Sequence, residues 1–100
     1  MADAQALPAT DDATLLSLLE AALLEAGVTP EEMTGLGLAT SLQDDLGVDS
    51  FQLTNVARHL EEAFALRFTL VDWVLEEADR EEDAYTVSSL FAYIRDQLSN

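Results

Sequence analysis

The stretch Asp44-Asp45-Leu46-Gly47-Val48-Asp49-Ser50-Phe51 leads from loop into helix and decides how the rest of the chain is read. Gly47 suits a tight turn, because a residue without Cβ reaches backbone angles that others avoid. Ser50 then opens a helix as its expected N-cap. Behind it Phe51, Leu53, Val56, Ala57, Leu60 and Phe64 recur at i, i+3 and i+4, an apolar stripe along one helical face.

Working outward, the spacing predicts a helix over 11–26. Thr10, Asp11 and Asp12 offer caps, Leu15, Leu16, Leu19, Ala22, Leu23 and Ala26 form the stripe, and Gly27 is the stop. Residues 27–49 hold most of the breakers. Thr29-Pro30-Glu31-Glu32 reads as a single short turn, and Leu36, Leu38, Leu42, Leu46 and Val48 are expected to fasten this long loop to the core. Beyond the central helix, Thr69-Leu70-Val71-Asp72 resembles a capping box opening a short third helix with Trp73, Val74 and Leu75. The acidic run 76–83 is expected to be exposed. Thr86 caps a last helix with Val87, Leu90, Phe91, Ile94 and Leu98 on one face. No window alternates with period two, so strands are not expected. The fold class is all-α: four helices in a bundle, with a long loop between the first two and a short third. The first ten residues, with Pro8, read as a flexible leader to a domain over 11–98.

Charge narrows the partners. The 100 residues include 20 acidic and 4 basic ones, a formal net charge of -16, and no lysine. Such a surface repels nucleic-acid phosphates and anionic membranes and draws partners with basic patches. With no cysteine there is no disulfide or thiolate metal site. The N-terminus lacks the charged and apolar regions of a signal peptide, and no apolar run is long enough to span a bilayer. A cytoplasmic protein is the expectation.

The segment Leu46-Gly47-Val48-Asp49-Ser50-Phe51 resembles the attachment signature of acyl carrier proteins, Leu-Gly-x-Asp-Ser-Leu, with Phe51 standing where leucine is usual. The likeness continues without a gap to Leu60-Glu61-Glu62-Ala63-Phe64, similar to the family's Leu-Glu-Glu-x-Phe. It resumes at Thr86-Val87 and Tyr93-Ile94. The resemblance implies a four-helix acyl-carrier-protein-like bundle that is not an enzyme. Its Ser50 would carry a covalent 4′-phosphopantetheine arm taken from coenzyme A, and acyl intermediates would ride on the arm as thioesters. It implies that Asp49 helps the 4′-phosphopantetheinyl transferase dock. It also implies that Phe51, Glu61 and Glu62 meet partner enzymes with basic docking patches: an acyl-loading ligase or acyltransferase, and ketosynthase-type enzymes. A monomer is expected, serving a specialised fatty acid or polyketide-type pathway.

Other readings of the same residues stay beside this one. Ser50 alone is most often a plain cap, in which case the domain is an interaction module; an aminoacyl, aryl or peptidyl carrier is a further alternative. Asp44, Asp45 and Asp49 lack the alternating spacing of a calcium loop, so no metal site is expected. His59, the only histidine, has no visible catalytic companion. Adjacent Glu61 and Glu62 do not face each other on a helix and read as an exposed acidic face rather than an acid–base pair. Three features depart from the family. Gln52 and Asn55 stand at positions that are often acidic, and Arg58 and His59 add positive character. The segment from Phe68 to Tyr85 is longer than usual, placing Trp73 in the core or else lining an acyl pocket or a partner surface.

Overall fold

A computed structural model describes residues 9–99. It contains four helices, α1 (Asp12–Glu25), α2 (Ser50–Ala63), α3 (Val71–Ala78) and α4 (Val87–Ser99). The expected leader lies outside the described residues as far as residue 8. Among the described residues the sole β pairing is an isolated bridge between Ser41 and Thr86.

Local chemistry sets the ends of α1. The Asp11 side chain accepts from the Thr14 amide at 3.2 Å and the Thr14 hydroxyl at 2.8 Å, and these bonds hold its carboxyl below the ordinary value. At the other end Gly27 takes a φ of +98°. That left-handed step lets the Val28 amide reach the Leu23 carbonyl at 2.9 Å and the Gly27 amide reach that of Leu24 at 3.1 Å, closing the helix with paired carbonyls. The chain then passes through a single turn in which Thr29 and Glu32 cap one another, the Thr29 amide giving to Glu32 Oε1 at 3.0 Å.

The α1 helix packs on α2. Leu15, Leu19, Leu23, Val56, Leu60 and Phe64 are buried with Val87, Leu90, Phe91 and Ile94 of α4 in one apolar core. After α2, Ala65 and Leu66 both take left-handed backbone angles, φ +56° and +59°. Two such residues in succession swing the chain back, so that Phe68 packs on Phe64 with ring centroids 5.5 Å apart and Leu70 is buried.

The long loop is fastened as much by backbone as by side chains. The Leu42 amide gives to the Tyr85 carbonyl at 2.8 Å, Val87 to Thr40 at 2.9 Å, and Ser88 to Leu38 at 2.9 Å. Leu42 and Val48 are buried, and Leu36 and Leu46 pack against the core. Leu38, expected to join them, is exposed; it contributes its carbonyl instead of its side chain.

Two expectations about the third helix are corrected. Thr69 and Asp72 do not form a capping box: the N-cap is Leu70, without a side-chain cap. The Leu70 amide is satisfied by Glu61 Oε2 at 2.8 Å, so a carboxylate on α2 supplies the reciprocal half of a cap to a different helix. The run 76–83 is not exposed throughout, because Glu77 is 3% exposed. Its Oε1 accepts from the Tyr85 amide at 2.7 Å. Its Oε2 accepts from the Ser89 hydroxyl at 3.0 Å and pairs with Arg80 at 2.9 Å. Three donors compensate the burial of one charge, and they lock α3 to the start of α4. Trp73 lies one turn earlier on the same face. It is buried, its Nε1 gives to Ser89 Oγ at 3.1 Å, and its ring meets Tyr85 edge-on at 5.7 Å. Trp73 is therefore a core residue.

The two tyrosines report on this junction. Burial, and then the charges of Glu77 and Asp79, raise the Tyr85 phenol above 10.0. Burial, and then Asp72, Glu76 and Asp96, do the same for Tyr93. With the folded value above the unfolded one, this contribution to stability is fully present below pH 10.0 and is lost as the pH rises through the folded value. Ultraviolet titration of the phenols is expected to show both midpoints above that of free tyrosine, with urea stability falling over the same range. A midpoint at the free value for both would remove the burial argument.

Candidate functional site

The site begins with Gly47, whose φ of +69° turns the chain toward α2. A Cβ there would meet nothing within 4 Å, so the glycine is required by backbone conformation and not by crowding within the chain. Ahead of it, Asp45 Oδ2 accepts from the Ser41 amide at 2.8 Å and the Asp44 amide gives to Ser41 Oγ at 3.0 Å. These bonds, with Ser41 Oγ giving to the Ala84 carbonyl at 2.9 Å, brace the approach to the helix.

The N-cap of α2 is Asp49, not Ser50. The Asp49 carboxylate accepts from the Gln52 amide at 2.7 Å, and the Gln52 side chain accepts from the Asp49 amide at 3.1 Å. The expectation placed the cap one residue late because serine and aspartate both serve; a carboxylate one position earlier takes the charge-assisted bond. Gln52 does one thing more. Its Nε2 gives to the Ala26 carbonyl at 3.2 Å, joining the head of α2 to the tail of α1. A glutamate would complete the capping box but has no N–H for Ala26, which gives a physical reason for glutamine at a position expected to be acidic.

Ser50 is consequently the first residue of α2, and it is exposed. Its carbonyl accepts from the Thr54 hydroxyl at 2.9 Å, while its own hydroxyl makes no hydrogen bond to a described residue. The hydroxyl stands free at the positive end of a helix, where an attached phosphodiester is favoured by the helix dipole. These residues fit a phosphopantetheine arm: an unengaged hydroxyl, an open turn before it and a firmly capped helix beneath it.

Around Ser50 the structure places the expected residues unevenly. Phe51 is 75% exposed, a large apolar surface beside the serine. Glu62 is exposed farther along α2, but Glu61 is half-buried and holds the Leu70 amide. The pair therefore does not share one exposed face. His59 is half-buried. Among the described residues no group of three acids or histidines is arranged to hold a metal, and no helix is long and apolar enough to cross a membrane.

A further feature was not legible in the sequence. Between α2 and α3 runs an open groove of about 320 Å³, walled by Ala57, Leu70, Val71, Val74 and Leu75 with Thr54, Arg58 and Glu61 among its lining. Val71 and Leu75 are exposed along it. Each residue falls on a helical stripe, but which faces leave a gap depends on how α3 is swung by Ala65 and Leu66.

An acidic four-helix domain that offers one unengaged serine at the head of its central helix has the outline of a carrier. The chain belongs to the phosphopantetheine attachment site family, whose family model matches residues 14–76, from the first turn of α1 into α3. Its cofactor is covalently bound 4′-phosphopantetheine. Domains of this kind are in general non-catalytic carriers that meet phosphopantetheinyl transferases and biosynthetic enzymes. No significant match to the chain was found among curated proteins or among solved structures.

Proposed function

We propose that the protein is a discrete acyl carrier protein, bearing its arm on Ser50 and presenting thioester-bound acyl intermediates to separate enzymes of a specialised fatty acid or polyketide-type pathway. The observation that carries this reading is the exposed Ser50 hydroxyl, without a hydrogen bond to any described residue, at the head of α2 inside the family match. Asp49 holds the helix start rigid through its cap and presents its charge to the transferase. Phe51 and Glu62, both exposed, form the surface that partners meet, with the half-buried Glu61 behind them. The chain supplies position and charge and no catalytic group. It works as a cytoplasmic monomer.

The groove favours an acyl cargo over an aminoacyl, aryl or peptidyl one. Five of its eight lining residues, Ala57, Leu70, Val71, Val74 and Leu75, are aliphatic, and burying each CH₂ of a chain there is favourable by roughly 0.8 kcal/mol at most. Attachment is tested by incubating the purified chain with coenzyme A and a promiscuous transferase, then taking an intact mass and mapping the modified peptide. One phosphopantetheine per chain, on Ser50, is expected. An unchanged mass with every transferase tried favours the interaction module instead.

A further inference from the structure

Two of the four arginines are spent on the fold, Arg80 on Glu77 and Arg95 on Asp12. Arg58 is exposed on α2, and no carboxylate among the described residues lies within ion-pairing distance of it. It also lines the groove between α2 and α3. A chain with 20 acidic residues thus keeps a cation, without an ion-pair partner among the described residues, on the wall of a largely aliphatic groove. Saturated acyl chains have no use for it.

One turn farther along α2 the groove is lined by Glu61, with Oε2 committed to the Leu70 amide. Thr54, one turn before Arg58, is neutral and gives its hydroxyl proton to the Ser50 carbonyl. The wall therefore reads neutral, positive, negative with increasing distance from Ser50. An anion that stops at Arg58 is attracted, and one that runs on to Glu61 is repelled. Arg58 lies eight residues beyond Ser50, ~12 Å along the helix at ~1.5 Å per residue. A volume of about 320 Å³ sits at the small end of ligand pockets, which run from ~300 to ~1,000 Å³.

Resting on the reading of Ser50 as the attachment site, we propose that Arg58 is a specificity-determining residue. It selects short acyl groups ending in a carboxylate, dicarboxylic half-thioesters, over saturated chains of equal length. The strong negative charge of the chain repels such anions from solution. A tether changes the competition, because a covalently held group is present at an effective concentration of ~mM and need only choose where to lie.

The experiment loads the protein with glutaryl-, adipoyl-, pentanoyl- or hexanoyl-phosphopantetheine from the matching acyl-coenzyme A, using a promiscuous transferase. Thioester hydrolysis at mildly alkaline pH is followed by intact mass. Each rate is divided into that of the same free acyl-coenzyme A, which cancels intrinsic reactivity and leaves a protection factor. The two carboxylate-ended groups are expected to be protected about threefold more than their saturated counterparts, the scale of one exposed ion pair. Arg58→Gln, an exposed substitution, is expected to erase that difference while keeping the protection of the saturated chains. Equal protection within each length-matched pair, or a difference that survives Arg58→Gln, overturns the proposal and leaves the carrier reading standing. Failure to acylate Ser50 at all sinks the attachment reading and this proposal with it.

Discussion

Ser50→Ala is expected to abolish phosphopantetheine attachment completely while leaving the stability of the fold within about 0.5 kcal/mol of the parent, the usual range for exposed positions. Both halves follow from where the serine sits. The cap of α2 belongs to Asp49 and Gln52, and the Ser50 hydroxyl has no bond to lose. Alanine is also a good helix former at this position. Had Ser50 been the cap, the same change would have cost about 1 kcal/mol, and a loss of modification would have been confounded with a loosened helix. Intact mass after incubation with coenzyme A and transferase, beside a urea melt of the same preparation, reads the two effects separately. An adduct that persists in Ser50→Ala places the arm elsewhere; a large drop in stability would mean that the hydroxyl does support the helix.

Glu77→Ala is the opposite case, a substitution far from Ser50 that should damage the fold. The change removes the acceptor of the Tyr85 amide, of the Ser89 hydroxyl and of Arg80 at once. It leaves a buried amide unsatisfied, which costs about 1–3 kcal/mol. Arg80 is half exposed and returns to water, so its lost pairing adds no more than about 1 kcal/mol, and a total of about 2–3 kcal/mol is expected. That is a large part of the ~5–15 kcal/mol that holds a domain together. Glu77→Gln keeps an oxygen for the Tyr85 amide and should lose less than half as much. Urea unfolding followed by the fluorescence of Trp73, the only tryptophan, measures both. A loss below about 1 kcal/mol for the alanine variant would show that α3 is held by its apolar contacts alone.

Sequence periodicity was enough for α1, α2 and α4 because each carries a stripe at 3.6-residue spacing: Leu15, Leu19 and Leu23 on α1, Leu53, Val56 and Leu60 on α2, and Val87, Leu90 and Ile94 on α4. All of these are buried. The start of α2 at Ser50 was legible because the residues around it form a pattern. The parts that were not legible depend on partners distant in sequence. Glu77 sits in a run of acids that composition alone assigns to solvent, and it is buried because Tyr85, Ser89 and Arg80 converge on it. Its spacing of four from Trp73 was the available sign, since i and i+4 share a helical face. Glu61 reads as a surface charge until α3 is placed, when its oxygen becomes the cap that Thr69 does not supply. Gln52 looked like a missing acid because its second partner, the Ala26 carbonyl, is 26 residues away.

The bond between Gln52 and Ala26 also orients the domain for use by others. It fixes the tail of α1 beside the head of α2, so the head of α1 lies about 14 residues, or ~21 Å of helix, toward the far end. There Arg95 of α4 gives to the Thr10 carbonyl at 2.8 Å and pairs with Asp12, bringing the start of α1 and the last turns of α4 together. Both routes into and out of the bundle therefore open on the side away from Ser50. A support that held the start of α1 or the last turns of α4 would leave the serine facing outward.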